Sequence, residues 1–294
     1  MRPTFDLAHW IGEFPLDKLR AQAREFVEER RRQLPDQYPT QASFDSHVKT
    51  MGPKASFIDT PQSLAVREHL LVDFTATDHE KLAADAFVWG LGEPPCRECT
   101  KIGGLPYWPG DRPWPASQGG YPATFLAQFC LLDSHDLVKL PGDVLSIFVD
   151  GEYLDHWDDE DRGAVQIFLQ NLTDTPLLEE IPEQIWTPQP CFGVRHRTWD
   201  FLSPEKPNKA HTRLELVEGT KIGGAPRWPQ SDPGLKGTFV GSLGSISWPA
   251  NAKHPFVNEP APSPEVCDRV LCLGDMGSLF LFWTGSEFQW DLQF

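Results

Sequence analysis

Lys101-Ile102-Gly103-Gly104-Leu105-Pro106-Tyr107-Trp108-Pro109 returns later in the chain as Lys221-Ile222-Gly223-Gly224-Ala225-Pro226-Arg227-Trp228-Pro229. Only Leu105/Ala225 and Tyr107/Arg227 differ, and the shared residues include the glycines, prolines and tryptophan. A phrase of that content, repeated once, marks a duplicated supersecondary unit. The surrounding order repeats as well. Thr124 to Phe129 reads as a strand after the first phrase, and Thr238 to Leu243 as a strand after the second. Gly142-Asp143-Val144 to Val149 then parallels Gly274-Asp275-Met276 to Trp283. Ala164 to Leu169 suggests a further strand. These runs are nearly continuous in apolar residues, which fits strands covered on both faces. With 28 prolines and 23 glycines between them, tight antiparallel connections are expected rather than helical crossovers.

Upstream, the pattern predicts helices. Leu16, Leu19, Ala23, Phe26 and Val27 recur at helical spacing over 15–33, between Pro15 and Pro35. Val66 to Phe74 reads as a strand. Thr77 to Trp89 reads as a second helix, with Thr77 as cap, Glu80 three residues on, and Leu82, Ala83, Ala86 and Phe87 as its buried stripe. The expected fold is therefore α+β: an N-terminal helical region over 1–95, then β-rich units over 96–215 and 216–294, predominantly antiparallel and packed as one domain.

The phrase Lys-Ile-Gly-Gly-x-Pro-x-Trp-Pro, the strand Phe125 to Phe129 and the late Gly274-Asp275-x-Gly277 strand resemble the YwqG-like family of uncharacterised proteins. Gly103, Gly104, Pro106 and Trp114-Pro115 carry the likeness, which spans about residues 98 to 294. It implies a compact, β-rich, internally duplicated protein and no particular activity. The first half departs from the late strand, since Val144 and Leu145 stand where Met276 and Gly277 are found.

A formal net charge of −16 disfavours attraction to phosphate backbones or anionic lipid, so neither nucleic acid nor membrane is an expected partner. The opening residues lack the apolar core of a signal peptide and no apolar run reaches membrane-span length. A cytoplasmic protein is expected.

Gly103-Gly104 and Gly223-Gly224 lack the spacing of a phosphate loop. They suit a tight turn or close backbone approach, with Trp108 and Trp228 packed over it. The competing reading places Lys101, Trp108, Lys221 and Trp228 in two related ligand pockets. Asp143 and Asp275 sit at matching places before paired strands, as turn formers or as an acid pair between the copies. The acidic run from Asp150 to Asp161 reads as a solvated loop, with Tyr153 and Trp157 as anchors for a docking protein or its carboxylates as calcium ligands. Cys96-x-x-Cys99 is half a zinc site at most, and no metal or cofactor is expected. No nucleophile elbow or zinc-protease helix is present. The leading functional expectation is a non-catalytic binding protein with a proteinaceous partner. A small-molecule- or metal-dependent enzyme using Asp143, Asp275, Lys101 or Lys221 between the copies is the alternative, and a structural role is the third.

Overall fold

A computed structural model of the chain describes Arg32 and residues 80–117, 119–150, 164–202, 216–246, 271–274 and 276–294. The helix expected over 15–33, apart from Arg32, and the strand expected over 66–74 lie outside these residues. So do Tyr153, Trp157 and Asp275.

Among the described residues ten strands are formed: β1 Glu80–Leu91, β2 Lys101–Ile102, β3 Thr124–Cys130, β4 Val144–Val149, β5 Val165–Gln170, β6 Cys191–Leu202, β7 Lys221–Gly223, β8 Thr238–Gly244, β9 Ser278–Trp283 and β10 Phe288–Gln293. They join one sheet in the order β10-β9-β8-β7-β1-β6-β2-β3-β4-β5. Every pairing is antiparallel. Among residues 80–294 that are described, no helix is formed, which replaces the α+β expectation with an all-β one.

The sharpest correction falls on Thr77 to Trp89. Its apolar residues match a helical stripe, yet from Glu80 onward the segment is the first half of the central strand pair. β1 pairs with β6 along its whole length and with β7 on its other edge. Ala84, Ala86 and Val88 are buried on one face, while Asp85, Phe87 and Trp89 are buried on the other. A strand covered on both faces loses the alternation that would distinguish it from a helix.

The strand order is symmetric about the β1–β6 pair. Counting outward, β6 is followed by β2, β3, β4 and β5, and β1 by β7, β8, β9 and β10. The long first strand of each half is thus exchanged: β1 lies beside β7 of the second half, and β6 beside β2 of the first. The twin phrases form the short strands β2 and β7 together with the turns that leave them. Beyond those strands the likeness is geometric. Both β3 and β8 carry a bulge at the same place, with register shifts between Phe125 and Ala127 and between Phe239 and Gly241. Thr100 Oγ1 accepts a hydrogen bond from Cys130 N (2.9 Å), and Thr220 Oγ1 accepts one from Gly244 N (3.1 Å).

The two Gly-Asp strands are offset by two residues from the alignment that their letters suggest. Leu131 N donates to Asp143 O, and Ser245 N donates to Gly277 O. Asp143 therefore corresponds to Gly277 and not to Asp275.

One face of the sheet carries a single apolar cluster built from both halves: Phe87, Trp89, Ile102, Phe129, Leu145 and Ile147 with Ile222, Leu243, Leu279 and Leu281. Side chains of the two outermost strands, Ile167 and Leu169 of β5 and Trp290 and Leu292 of β10, pack on that same cluster, so the sheet curls around it. The opposite face carries a separate aromatic cluster in each half. In the first, Trp108 packs with Phe125 and Phe148. In the second, Trp228 packs with Phe239, Phe280 and Phe282.

Candidate functional site

The repeated phrase builds the same turn twice. After the short strand, both glycines adopt left-handed conformations (φ 59° and 67° at Gly103 and Gly104, 72° and 70° at Gly223 and Gly224). That backbone is open to glycine and strained for other residues. The turn closes on a carboxylate. Glu93 Oε1 accepts from Leu105 N at 2.7 Å, and Asp200 Oδ2 accepts from Ala225 N at 2.9 Å. Asp200 Oδ1 accepts a further bond from Val217 N at 2.6 Å. The preceding lysine supplies the counter-charge: Lys101 Nζ lies 3.1 Å from Glu93 Oε2, and Lys221 Nζ lies 2.6 Å from Asp200 Oδ2. Lys101 also donates to the Leu105 carbonyl.

Both lysine side chains are buried. Burial pushes the Lys101 ammonium below its ordinary pKa, against the opposing attraction of Glu93. Glu93 and Asp200, which the sequence does not single out, are thus the partners of the two repeated lysines. Nothing in the sequence marks them, because Glu93 precedes its lysine by eight residues and Asp200 by twenty-one.

Trp108 and Trp228 cover the aromatic clusters. The Trp108 ring lies 4.9 Å from Phe148 and 5.3 Å from Phe168, both edge-on. Arg112 stands over it at 4.5 Å. Trp228 lies 4.5 Å from Phe280 and stacks on Phe282 at 5.8 Å. Asp143 holds a turn, accepting from Leu172 N at 2.9 Å and facing His135 Nε2 at 3.3 Å. Cys96 and Cys99 are joined to each other as a disulfide.

A second buried carboxylate has no counterpart among the sequence candidates. Asp85 accepts from Ser134 Oγ (2.6 Å), Arg195 (3.0 Å) and Arg197 Nε (2.6 Å). Arg197 also holds Asp136 through two bonds of 2.6 and 3.0 Å, which keeps the Asp136 carboxyl below its usual range and raises the Arg197 pKa. This network ties the segment after β3 to the central strands.

The concave site lies elsewhere, on the aromatic face of the second half. A pocket there is lined by Glu218, Arg227, Ser242, Met276, Phe280 and Phe294, among others. Glu218 is buried and forms an ion pair with Arg227. Met276 has φ 62°, a conformation uncommon for a residue with a side chain. The one signal in the sequence was the exchange of Tyr107 for Arg227, the sole charge difference between the twin phrases. Among the described residues no group of three or more His, Cys, Asp or Glu side chains is placed to hold a metal ion. Nor is any described helix long and apolar enough to cross a membrane.

The chain is thus an internally duplicated, strand-exchanged β protein in which a pocket accompanies the second copy of the phrase. Residues 100–237 match the family model for a domain of unknown function, DUF1963. That model corresponds to the YwqG-like family of uncharacterised, internally duplicated domains, in agreement with the resemblance carried by the repeated phrase. No curated protein matches the chain.

Proposed function

We propose that this protein is a non-catalytic binding module whose recognition site is the pocket of the second half. The observation that carries this reading is an asymmetry between equivalent positions. Lys101 faces Gln128 across the sheet, and Lys221 faces Ser242. Gln128 is buried with both ends of its amide hydrogen-bonded, whereas Ser242 borders the pocket. A concave site with apolar walls and a few convergent polar groups is the usual form of a ligand site.

The enzyme alternative asks for chemistry from Lys101, Lys221 or Asp143. Each lysine is held in an ion pair with a neighbouring carboxylate and Asp143 accepts the bonds of a turn, so these groups are committed to holding the fold. A cytoplasmic location and a partner that is neither nucleic acid nor membrane are the finer parts of this proposal, supported by the net charge of −16. The ligand is a small polar molecule or a side chain presented by a protein.

The test is a ligand-observed NMR screen of small polar fragments against the full chain, repeated on Arg227→Tyr. Hits that bind the wild type and weaken at least tenfold in the variant are expected. Fragments that bind both forms equally, or the absence of any hit, would overturn the reading.

A further inference from the structure

We infer that the pocket of the second half is a carboxamide site, built to receive the primary amide of a glutamine- or asparagine-like ligand. This deepens the binding-module reading and rests on it. The template is inside the protein. In the first half the Gln128 side chain fills the space between the strand and the turn. Its oxygen accepts from Tyr107 N at 2.7 Å. Its nitrogen donates to Arg97 O at 2.7 Å and to Cys99 O at 2.8 Å.

The twin phrases and the matched threonine bonds set the correspondence. Arg227, Val217 and Gly219 stand where Tyr107, Arg97 and Cys99 stand, and Ser242 stands where Gln128 stands. Ser242 Oγ donates to Gly219 O at 2.6 Å, which is the counterpart of one of the three bonds of Gln128. The serine side chain is too short to span the rest. Val217, Gly219, Arg227 and Ser242 all line the pocket, so the second half is open where the first is filled by a carboxamide.

A second glutamine strengthens the comparison. Gln170 faces Val144 on β4, and Gln293 faces Ser278 on β9, so these two are also equivalent. Gln170 Nε2 points to the phrase, donating to Tyr107 O at 3.0 Å and to Ser146 Oγ at 3.2 Å. Gln293 Nε2 is instead held by Ser231 O (2.7 Å) and Asp291 Oδ2 (2.8 Å). Phe280, in the place of Ser146, packs on Trp228 and leaves an apolar wall with Phe294.

The charged pair fits the same ligand. A primary carboxamide carries one acceptor and two N–H donors on one plane. Glu218 can accept from the amide nitrogen while Arg227 donates to its oxygen. A ligand carboxylate has no N–H to offer Glu218 and a ligand ammonium has no acceptor for Arg227, so each satisfies one member of the pair and faces the other with like charge, whereas the amide satisfies both. The methylenes of a glutamine-like chain would lie against Phe280 and Phe294.

The test titrates the full chain with L-glutamine, with N-acetyl-glutamine N-methylamide as a mimic of a glutamine within a peptide, and with L-glutamate, following the amide resonances of Arg227 and Met276. Saturable shifts with at least one amide, and binding of L-glutamate at least tenfold weaker, are expected. Preference for free L-glutamine identifies a metabolite as the source, and preference for the blocked form identifies a protein side chain. Ser242→Gln should place the first half's own plug in the pocket and abolish amide binding. Arg227→Tyr should weaken it at least tenfold if the Ser242→Gln protein does not fold. Equal binding of glutamate and glutamine, or amide binding unchanged in these variants, would overturn the inference. If polar fragments shift the pocket resonances and amides do not, the carboxamide assignment fails and the binding module stands. If nothing shifts them, both fail.

Discussion

Lys221 Nζ lies 2.6 Å from Asp200 Oδ2, with both side chains shut off from solvent. The Asp200 carboxylate also accepts from the backbone amides of Val217 and Ala225. It therefore neutralises the lysine and ties the residues just before the second phrase to the turn within it. The equivalent pair of the first half, Lys101 and Glu93, keeps Glu93 about one-third exposed. The two halves share a device but differ in how deeply it is set.

That difference predicts unequal costs. Removing one member of a buried ion pair leaves an uncompensated charge, at about 3–5 kcal/mol. Asp200→Ala should lose stability in that range. Glu93→Ala should lose about 1–2 kcal/mol, because Glu93 is partly exposed and its removal lets water in beside the Lys101 ammonium. Urea unfolding of both variants checks this, and equal losses would contradict the assigned burial.

Gly224 brings backbone against the same carboxylate. A Cβ there would stand 2.1 Å from Asp200 Oδ2, whereas Gly234, with a similar φ of 72°, has nothing within 4 Å. Gly234→Ala should cost about 1 kcal/mol of backbone strain. Gly224→Ala should cost clearly more, since the ion pair must move as well. Thermal unfolding of the two variants separates strain from crowding.

The twin tryptophans are not equivalent in burial. Trp108 is 1 % exposed and packs on four rings or cations, while Trp228 is half-buried. Trp108→Ala should cost about 3–5 kcal/mol. Trp228→Ala should cost less and should distort the Phe280 wall of the pocket. The expected signature is a small loss in unfolding free energy together with a large change in fragment binding.

Acid should weaken the network around Arg197. The folded protein holds the Asp136 carboxyl below its ordinary pKa through hydrogen bonds from Arg197. A depressed carboxylate contributes stability above its unfolded pKa and loses it as pH falls through its folded value. Wild type and Asp136→Asn should therefore differ in melting temperature at neutral pH and converge below about pH 4. The difference will be small, because Asp136 is largely exposed. A gap that persists unchanged at pH 3 would count against the pairing.

Much of the architecture could be read from the chain before any coordinates. The repeated phrase announced the duplication, and the strands over 124–130, 144–149, 165–170, 238–244 and 278–283 fall on runs whose apolar and β-branched character marks them. β1 reads as a helix, and the sequence marks neither β6 nor the edge strand β10; β1 and β6 escape for one reason. Both are 12-residue central strands whose local pattern is dominated by what covers them on each face. The Gly-Asp strands were recognised as a pair with a two-residue error, since the glycine in such a turn does not have to keep its place relative to the ladder.

Local chemistry decided the features that stay within a few residues. Both copies of Lys-Ile-Gly-Gly-x-Pro form the same left-handed turn, and the tryptophan after each turn packs on the strands beside it. The tertiary structure alone decided which carboxylate each turn would close upon, which half would receive which long strand, and where a pocket would open. These depend on residues brought together across the sheet: Asp200 with Lys221, Asp85 with Arg197, and Ser242 with Arg227. Charge pairing and space filling are set by distance in the fold, and distance along the chain carries little trace of either.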